Sequence, residues 1–192
     1  MNGDPSHQKR ALRAELRERR RNLTTSEREK ATAAFTERLV ELTTRLGAKS
    51  ISAYLPTADE PNIRAYTDWA LQQGIQVLMP ISRDDGLLDW VVSDGESEAD
   101  GPFGWPEPLG ELLGPIAIND VDLIIVPAAS VDRTGMRMGW GRGYIDRMLG
   151  SMETCPPVYA VIFDNEFVQS VPTELHDKPV DGVVTPSGVV VF

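Results

Sequence analysis

The sequence holds almost nothing from which a thiol or imidazole site could be built. Cys155 is the only cysteine among 192 residues, which excludes an intramolecular disulfide and a thiolate zinc centre and suits a reducing compartment. His7 and His176 are the only histidines, too few for a histidine metal cluster. No apolar run approaches the roughly 20 residues that cross a bilayer. The N-terminus is polar and basic with no apolar stretch behind it, unlike a secretory signal. Neither Ser130 nor Ser187 lies in a Gly-x-Ser-x-Gly context, which argues against a serine hydrolase. Repeats and long low-complexity linkers are missing as well. Positive charge is scarce: the formal net charge is −10, which argues against general nucleic-acid binding and against an anionic membrane surface. The expectation is a cytoplasmic monomer with no nucleic-acid or membrane partner.

What is present reads as one ordinary globular domain, 41% hydrophobic and 25% charged and long enough to bury a real core. Residues 1–6, with Gly3 and Pro5, are expected to be disordered, and residues 7–192 to form a single domain. Residues 7–21 have helical period, with Leu12 and Leu16 one turn apart among Lys9, Arg10, Arg13, Arg17 and Arg20. That basic face is either solvated or places Lys9 and Arg13 (i, i+4) on a phosphate. Ser26 to Glu29 reads as a capping box opening a second helix. Its apolar stripe is Phe35, Leu39, Leu42 and Leu46, and Gly47 ends it. From residue 50 the period changes to strand 50–55, a helix from Pro61 or Asn62 to near Gly74, and strand 75–81. Strand–helix–strand order implies parallel neighbours joined by a right-handed crossover. Residues 87–92 read as an antiparallel extension and 93–115 as a long polar loop. The β-branched run 121–126 reads as a central buried strand. Short strands at 157–163, 168–171 and 183–184 complete an α/β fold, an open, mostly parallel sheet flanked by helices.

The stretch from Val131 to Leu149 carries most of the chemistry. Gly139, Gly141 and Gly143 alternate with Trp140 and Arg142, so several backbone amides can approach one point unobstructed. Such a row leading into a helix is a phosphate site. Arg137, Arg142 and Arg147 add charge-assisted donors, and Asp146 is a hard oxygen ligand for Mg²⁺. Neither the P-loop nor the dinucleotide glycine pattern fits, because Tyr144 follows Gly143. The loop is therefore a bare tight turn or a phosphate cradle, and the arginines and Asp146 favour the cradle. In open α/β sheets ligands bind beyond the carboxyl ends of the strands. Glu60 and the glycine loop both follow strands there and so can face one crevice. Glu60 either complements a helix dipole or accepts hydrogen bonds from a heterocycle's N–H groups. Trp105, Trp140 and Tyr144 either stack on a flat ligand or anchor loops on the core. His176-Asp177 is either a metal or acid–base pair or a surface turn.

Assembled, these residues resemble the 5-formyltetrahydrofolate cyclo-ligase (methenyltetrahydrofolate synthetase) family over nearly the whole chain. The likeness begins at Lys9-Arg10-Ala11-Leu12-Arg13. It runs through Tyr54-Leu55-Pro56 with Glu60, Phe103-Gly104, Glu107-Pro108 and Val126-Pro127-Ala128. Its most specific part is Asp132, Gly135 and Arg137-Met138-Gly139-Trp140-Gly141-Arg142-Gly143-Tyr144 followed by Asp146-Arg147. Val171-Pro172, His176-Asp177 and Val180-Asp181 close it.

The resemblance implies an ATP- and Mg²⁺-dependent ring closure of 5-formyltetrahydrofolate to 5,10-methenyltetrahydrofolate, through an N5-iminium phosphate. It implies that Lys9, Arg13 and the segment Arg137, Met138, Gly139, Trp140, Gly141, Arg142, Gly143, Tyr144 and Ile145 bind ATP. Leu55, Glu60, Trp140 and Tyr144 would bind the folate, Asp146 and Asp177 the metal, and Arg137, Arg142 and Asp146 would carry catalysis. Two positions depart from the family's pattern. Ile145 stands where a second aromatic residue is usual, and Arg142 where glycine is frequent. Ile145 motivates one other reading, a folate- or nucleotide-binding family member without turnover. Another is an ATP-dependent kinase or ligase for a different small molecule.

Overall fold

The computed structural model describes residues 3–192. Helix α1 (Pro5–Arg21) starts earlier than its periodicity predicts. The Asp4 carboxylate caps it by accepting from the Ser6 N–H at 3.1 Å, and Pro5 fills the first turn, where its missing N–H costs nothing. Disorder through residue 6 is thus wrong for Pro5 and Ser6, while residues 1 and 2 lie outside the described residues. Helix α2 (Thr25–Leu46) is capped by Thr24 and not by Ser26. Thr24 Oγ1 accepts from the Glu27 N–H at 3.1 Å, and the Glu27 carboxylate accepts from the Thr24 N–H at 2.7 Å. Gly47 ends the helix in the left-handed region.

Strand β1 (Ser50–Ser52), helix α3 (Arg64–Gln72) and strand β2 (Gln76–Ser82) form the expected parallel crossover, with Ile51 opposite Val77. Strand β3 (Leu88–Val92) returns antiparallel. The acidic stretch read as a loop folds instead into a β4 (Glu98–Asp100) and β5 (Pro106–Pro108) hairpin, and β6 (Leu112–Leu113) extends the sheet beyond β3. Strands this short carry no periodicity to read. Then come β7 (Leu123–Pro127), β8 (Ser130–Asp132), β9 (Arg137–Met138), helix α4 (Tyr144–Ser151), β10 (Val158–Val161), β11 (Phe167–Val168), β12 (Gly182–Thr185) and β13 (Gly188–Val191). Strands β8, β9 and β13 lie outside the strands expected from the sequence.

The eight-stranded sheet runs β13-β12-β10-β7-β1-β2-β3-β6. Its centre is parallel and its outer pairings antiparallel, as the open α/β expectation requires. Side chains alternate between its faces, because successive residues of a strand point opposite ways. Leu123 and Ile125 join Phe35, Leu39 and Leu42 of α2 on one face, while Ile124 and Val126 join Met148 of α4 on the other. The chain leaves β1 for β2 on one side and later returns to β7 on the other. A crevice therefore opens between β1 and β7, where the strand order reverses.

Helix α1 packs on a second, three-stranded sheet, β11-β8-β9, through Leu16, Ala129, Met138 and Val171. Buried Asp132 ties that sheet together by accepting from the N–H groups of Thr134, Met136 and Val171. Burial works against its charge, but these donors hold its carboxyl below the usual range. Gly135, at φ 88, closes the β8–β9 turn, and a Cβ there would lie 2.9 Å from the Val180 carbonyl oxygen. Gly135→Ala is expected to cost at least about 1–2 kcal/mol, read as a lower urea midpoint, because the left-handed backbone strains any Cβ. Among the described residues no helix is long and apolar enough to cross a membrane.

Candidate active site

A cavity of 730 Å³ opens beyond the carboxyl ends of β1, β2 and β7, a volume suited to drug-sized ligands. The site residues proposed from the sequence line it, from Lys9 and Arg13 through Leu55, Glu60 and the segment 137–146 to Asp177, with the exception of Arg147.

The glycine loop has its shape for identifiable reasons. Gly141 and Gly143 have φ of 106 and 73, a region that penalises side chains. At Gly139 a Cβ would fall 2.6 Å from Arg137 Nη1. Gly143 precedes α4 with no side-chain cap, so the first-turn amides are left for another acceptor. The loop is pinned from α1, where Arg13 Nε donates to the Gly139 carbonyl at 2.7 Å.

Cations line one wall, and Lys9 and Arg20 are buried, so the basic face of α1 is not simply solvated. Lys9 Nζ donates to Asp177 at 2.6 Å and Glu174 at 2.7 Å. Burial opposes its charge, yet those carboxylates hold the ammonium above its ordinary value. Arg137 is 4% exposed and lies 3.2 Å from Asp146. Burial pulls its guanidinium below the ordinary value, against the opposing pull of Asp146. Arg20 Nε and Nη2 hold the Glu166 carboxylate at 2.7 and 2.8 Å, both partners being buried. Breaking such a pair from one side costs about 3–5 kcal/mol.

The turn after β1 lines the same cavity. Glu60 Oε1 accepts from the Thr57 N–H at 3.0 Å, and burial pushes its carboxyl above the usual range despite that bond. Tyr54 donates to the Pro61 carbonyl at 2.9 Å, and burial holds its phenol well above the ordinary value.

The aromatic residues serve as loop anchors that also face the cavity. Trp140 lies against the guanidinium groups of Arg17 and Arg20, at 5.1 and 4.9 Å from its ring centroid. Tyr144 donates to the Arg83 carbonyl at 2.8 Å. Two arginines differ from expectation. Arg147 Nε donates to the Gly86 carbonyl at 2.8 Å and buttresses the β2–β3 turn. Arg142 is exposed, with its guanidinium 4.0 Å from the Phe103 ring centroid and 5.1 Å from that of Trp105. This contact joins the glycine loop to the β4–β5 hairpin, so the extra cation is spent on aromatic faces. Arg142→Gly is therefore expected to change kcat by no more than about threefold, measured at saturating substrates, since an exposed cation–π contact is worth only about 0.5–1 kcal/mol.

The carboxylates proposed for a metal stand apart in their partners. Asp146 accepts from the Lys178 N–H at 3.1 Å as well as facing Arg137. Asp177 belongs with Glu174 and His176, whose ligand atoms lie within 4.8 Å of one another. His176 is exposed on a turn, with its Nε2 3.4 Å from Asp177. The donors are hard oxygens beside a glycine-rich loop, a set that fits Mg²⁺, which is commonly bound through one or two carboxylates.

Sequence reasoning missed Ser52, Trp90 and the cavity role of Arg20. Buried polar atoms of Arg20, Ser52, Trp90, Arg137 and Trp140 find no hydrogen-bond partner among the described residues, and all five residues line the cavity. Such atoms are costly to leave unmet and normally find partners. A polar ligand in the cavity would be able to satisfy them.

The chain is similar to known proteins along nearly its whole length. A model described as the 5-formyltetrahydrofolate cyclo-ligase family matches residues 5–186. A 5-formyltetrahydrofolate cyclo-ligase of Mycolicibacterium smegmatis is 33% identical over 180 residues, 91% of this chain and 92% of that one. The Mus musculus 5-formyltetrahydrofolate cyclo-ligase is 28% identical, covering 92% of each chain. Among solved structures, Aquifex aeolicus 5,10-methenyltetrahydrofolate synthetase superposes with a TM-score of 0.79 at 27% identity, over 95% of this chain and 92% of that one.

Proposed function

We propose that this chain, which belongs to the 5-formyltetrahydrofolate cyclo-ligase family, closes the ring of 5-formyltetrahydrofolate to give 5,10-methenyltetrahydrofolate, with ATP as co-substrate and Mg²⁺ as its companion ion. The observation that carries this reading is the meeting of Glu60 and the glycine loop in one cavity. That cavity offers a heterocycle acceptor and a phosphate cradle side by side.

In this reading the amides of residues 139–145 and the cations Lys9, Arg13 and Arg137 hold the triphosphate. Asp146 and Asp177 would hold Mg²⁺, which supplies charge neutralisation when bound. Their present partners Arg137 and Lys9 would then turn to phosphate oxygens. Glu60 accepts from the pterin N–H groups, and Leu55, Trp140 and Tyr144 flank the ring. The substrate's formyl oxygen is the nucleophile, so no side-chain nucleophile is needed. It attacks the γ-phosphorus as the bond to ADP breaks, giving an N5-iminium phosphate. N10 then adds to the formyl carbon and loses its proton, and inorganic phosphate departs. Positioning and charge neutralisation are most of what phosphoryl transfer asks of a protein.

Purified protein given 5-formyltetrahydrofolate, ATP and Mg²⁺ should form methenyltetrahydrofolate, seen by its near-ultraviolet absorbance, with one ADP per turnover. Folate binding without absorbance would favour a binding protein. ADP release driven by another metabolite would favour a different kinase or ligase.

A further inference from the structure

Arg20 does more than join α1 to the rest of the fold. A guanidinium has five N–H donors: one on Nε and two on each Nη. Nε donates to Glu166 Oε1 at 2.7 Å. Nη2 donates to Glu166 Oε2 at 2.8 Å and to the Ala128 carbonyl at 2.7 Å. These three bonds use every hydrogen on Nε and Nη2. Nη1 is buried and finds no partner among the described residues, and Arg20, 1% exposed, forms part of the cavity wall with Tyr54 and Glu60.

The donor is also fixed in direction. The Glu166 carboxylate is itself held by the Phe163 N–H at 2.9 Å, and Ser130 donates to the Glu166 carbonyl at 2.6 Å. The guanidinium lies 4.9 Å from the Trp140 ring centroid and 5.5 Å from that of Phe163. Because Glu166 neutralises the cation, Nη1 suits an uncharged acceptor better than a phosphate, which has Lys9, Arg13 and Arg137 to meet it. Arg20 shares the cavity lining with Glu60 and Tyr54, the residues to which the folate reading gives the heterocycle. Glu60 takes N–H donors. A fixed N–H donor on the same side completes the complement of a lactam edge, a ring carbonyl next to ring N–H and amino groups.

We propose that Arg20 is a specificity-determining residue, whose Nη1 donates to the ring carbonyl of the pterin beside the N–H groups taken by Glu60. The inference rests on the folate reading above and deepens it. A site built to donate to a carbonyl rejects a ring carrying an amino group there, because donor then meets donor.

The wild-type protein, titrated calorimetrically with 5-formyltetrahydrofolate and with its 4-amino-4-deoxy analogue, should bind the analogue at least about 100-fold more weakly. In Arg20→Met/Glu166→Leu, which removes both charges together and fills their volume, that ratio should shrink at least about tenfold. With arginine ¹⁵N-labelled in the wild type, 5-formyltetrahydrofolate should shift the Arg20 Nη1 resonance and leave Nη2 nearly still, whether or not the double variant folds. Equal affinities in the wild type, an unchanged ratio in the double variant, or a silent Nη1 would each overturn the role of Arg20 while leaving folate binding intact. Failure of the wild type to bind 5-formyltetrahydrofolate would overturn both readings.

Discussion

Arg137→Ala is expected to lower kcat by about 10³-fold or more, the scale on which a single arginine acts on a transferring phosphoryl group. Its guanidinium is buried at the root of the glycine loop, with Nε unmet among the described residues and Nη2 facing Asp146. A donor held rigid in a dry site stabilises developing charge without reorganising. The loss of stability should be small by comparison. The Arg137 charge is carried at a desolvation cost, and the Asp146 carboxylate it leaves behind keeps its bond from the Lys178 N–H. Steady-state kinetics beside urea unfolding separate the two effects. Asp146→Ala should give a comparable kinetic loss, and the double variant should be little worse than either single one, because residues acting as a unit are not additive. Simple multiplication of the two losses would show that the pair does not act together.

Glu60→Gln is expected to raise the KM for 5-formyltetrahydrofolate about 100-fold and leave the KM for ATP within about threefold. A buried carboxylate that accepts ring N–H groups is worth far more than an amide that offers donors back to them. Glu60→Ala should show the same split, and a variant that spared folate affinity would misplace the pterin. The pH dependence follows from the same burial. The Glu60 carboxyl titrates above its ordinary range in the folded protein. Folate affinity should therefore be flat above that raised value and fall as pH drops through it, whereas Glu60→Gln should lose this dependence. Stability has the opposite sign. The folded state holds the proton more tightly than the unfolded chain, so relative stabilisation present in acid is lost as pH rises through the folded-state value. At neutral pH Glu60→Gln should accordingly raise the urea midpoint while it damages binding.

The parts of the fold that could be read in the sequence were those with long, regular patterns. The Phe35, Leu39 and Leu42 stripe, the β-branched run ending at Val126 and the strand–helix–strand order around residues 50–82 all led to the observed sheet. The boundaries were harder, because a cap depends on geometry as well as residue type. Thr24 and Ser26 both fit the capping pattern, and only the former has its carboxylate partner returning to its own N–H. The β4–β5 hairpin and β6 were hidden because pairing between distant short segments, and not local period, makes them strands.

The site was legible where glycine spacing and clustered charge forced a conformation, as at residues 137–146. It was opaque where tertiary packing decides. Nothing in the sequence distinguishes Arg20 from Arg17, yet one is buried against Glu166 and the other is exposed on the same helix. Arg142 had the composition of a phosphate ligand, but Phe103 and Trp105, brought over by the hairpin, take its charge. Ser52 and Trp90 carry no motif and matter only because the end of β1 and the first half of antiparallel β3 lie at the same cavity.

The central claim is that one cavity holds a triphosphate on the amides of residues 139–145 and a pterin on Glu60. A crystal structure with 5-formyltetrahydrofolate, Mg²⁺ and a non-hydrolysable ATP analogue tests it most directly. The account predicts the terminal phosphate against the glycine loop and Arg137, with the formyl oxygen facing it and the pterin edge on Glu60. A triphosphate lodged elsewhere, with the glycine loop bare, would contradict it.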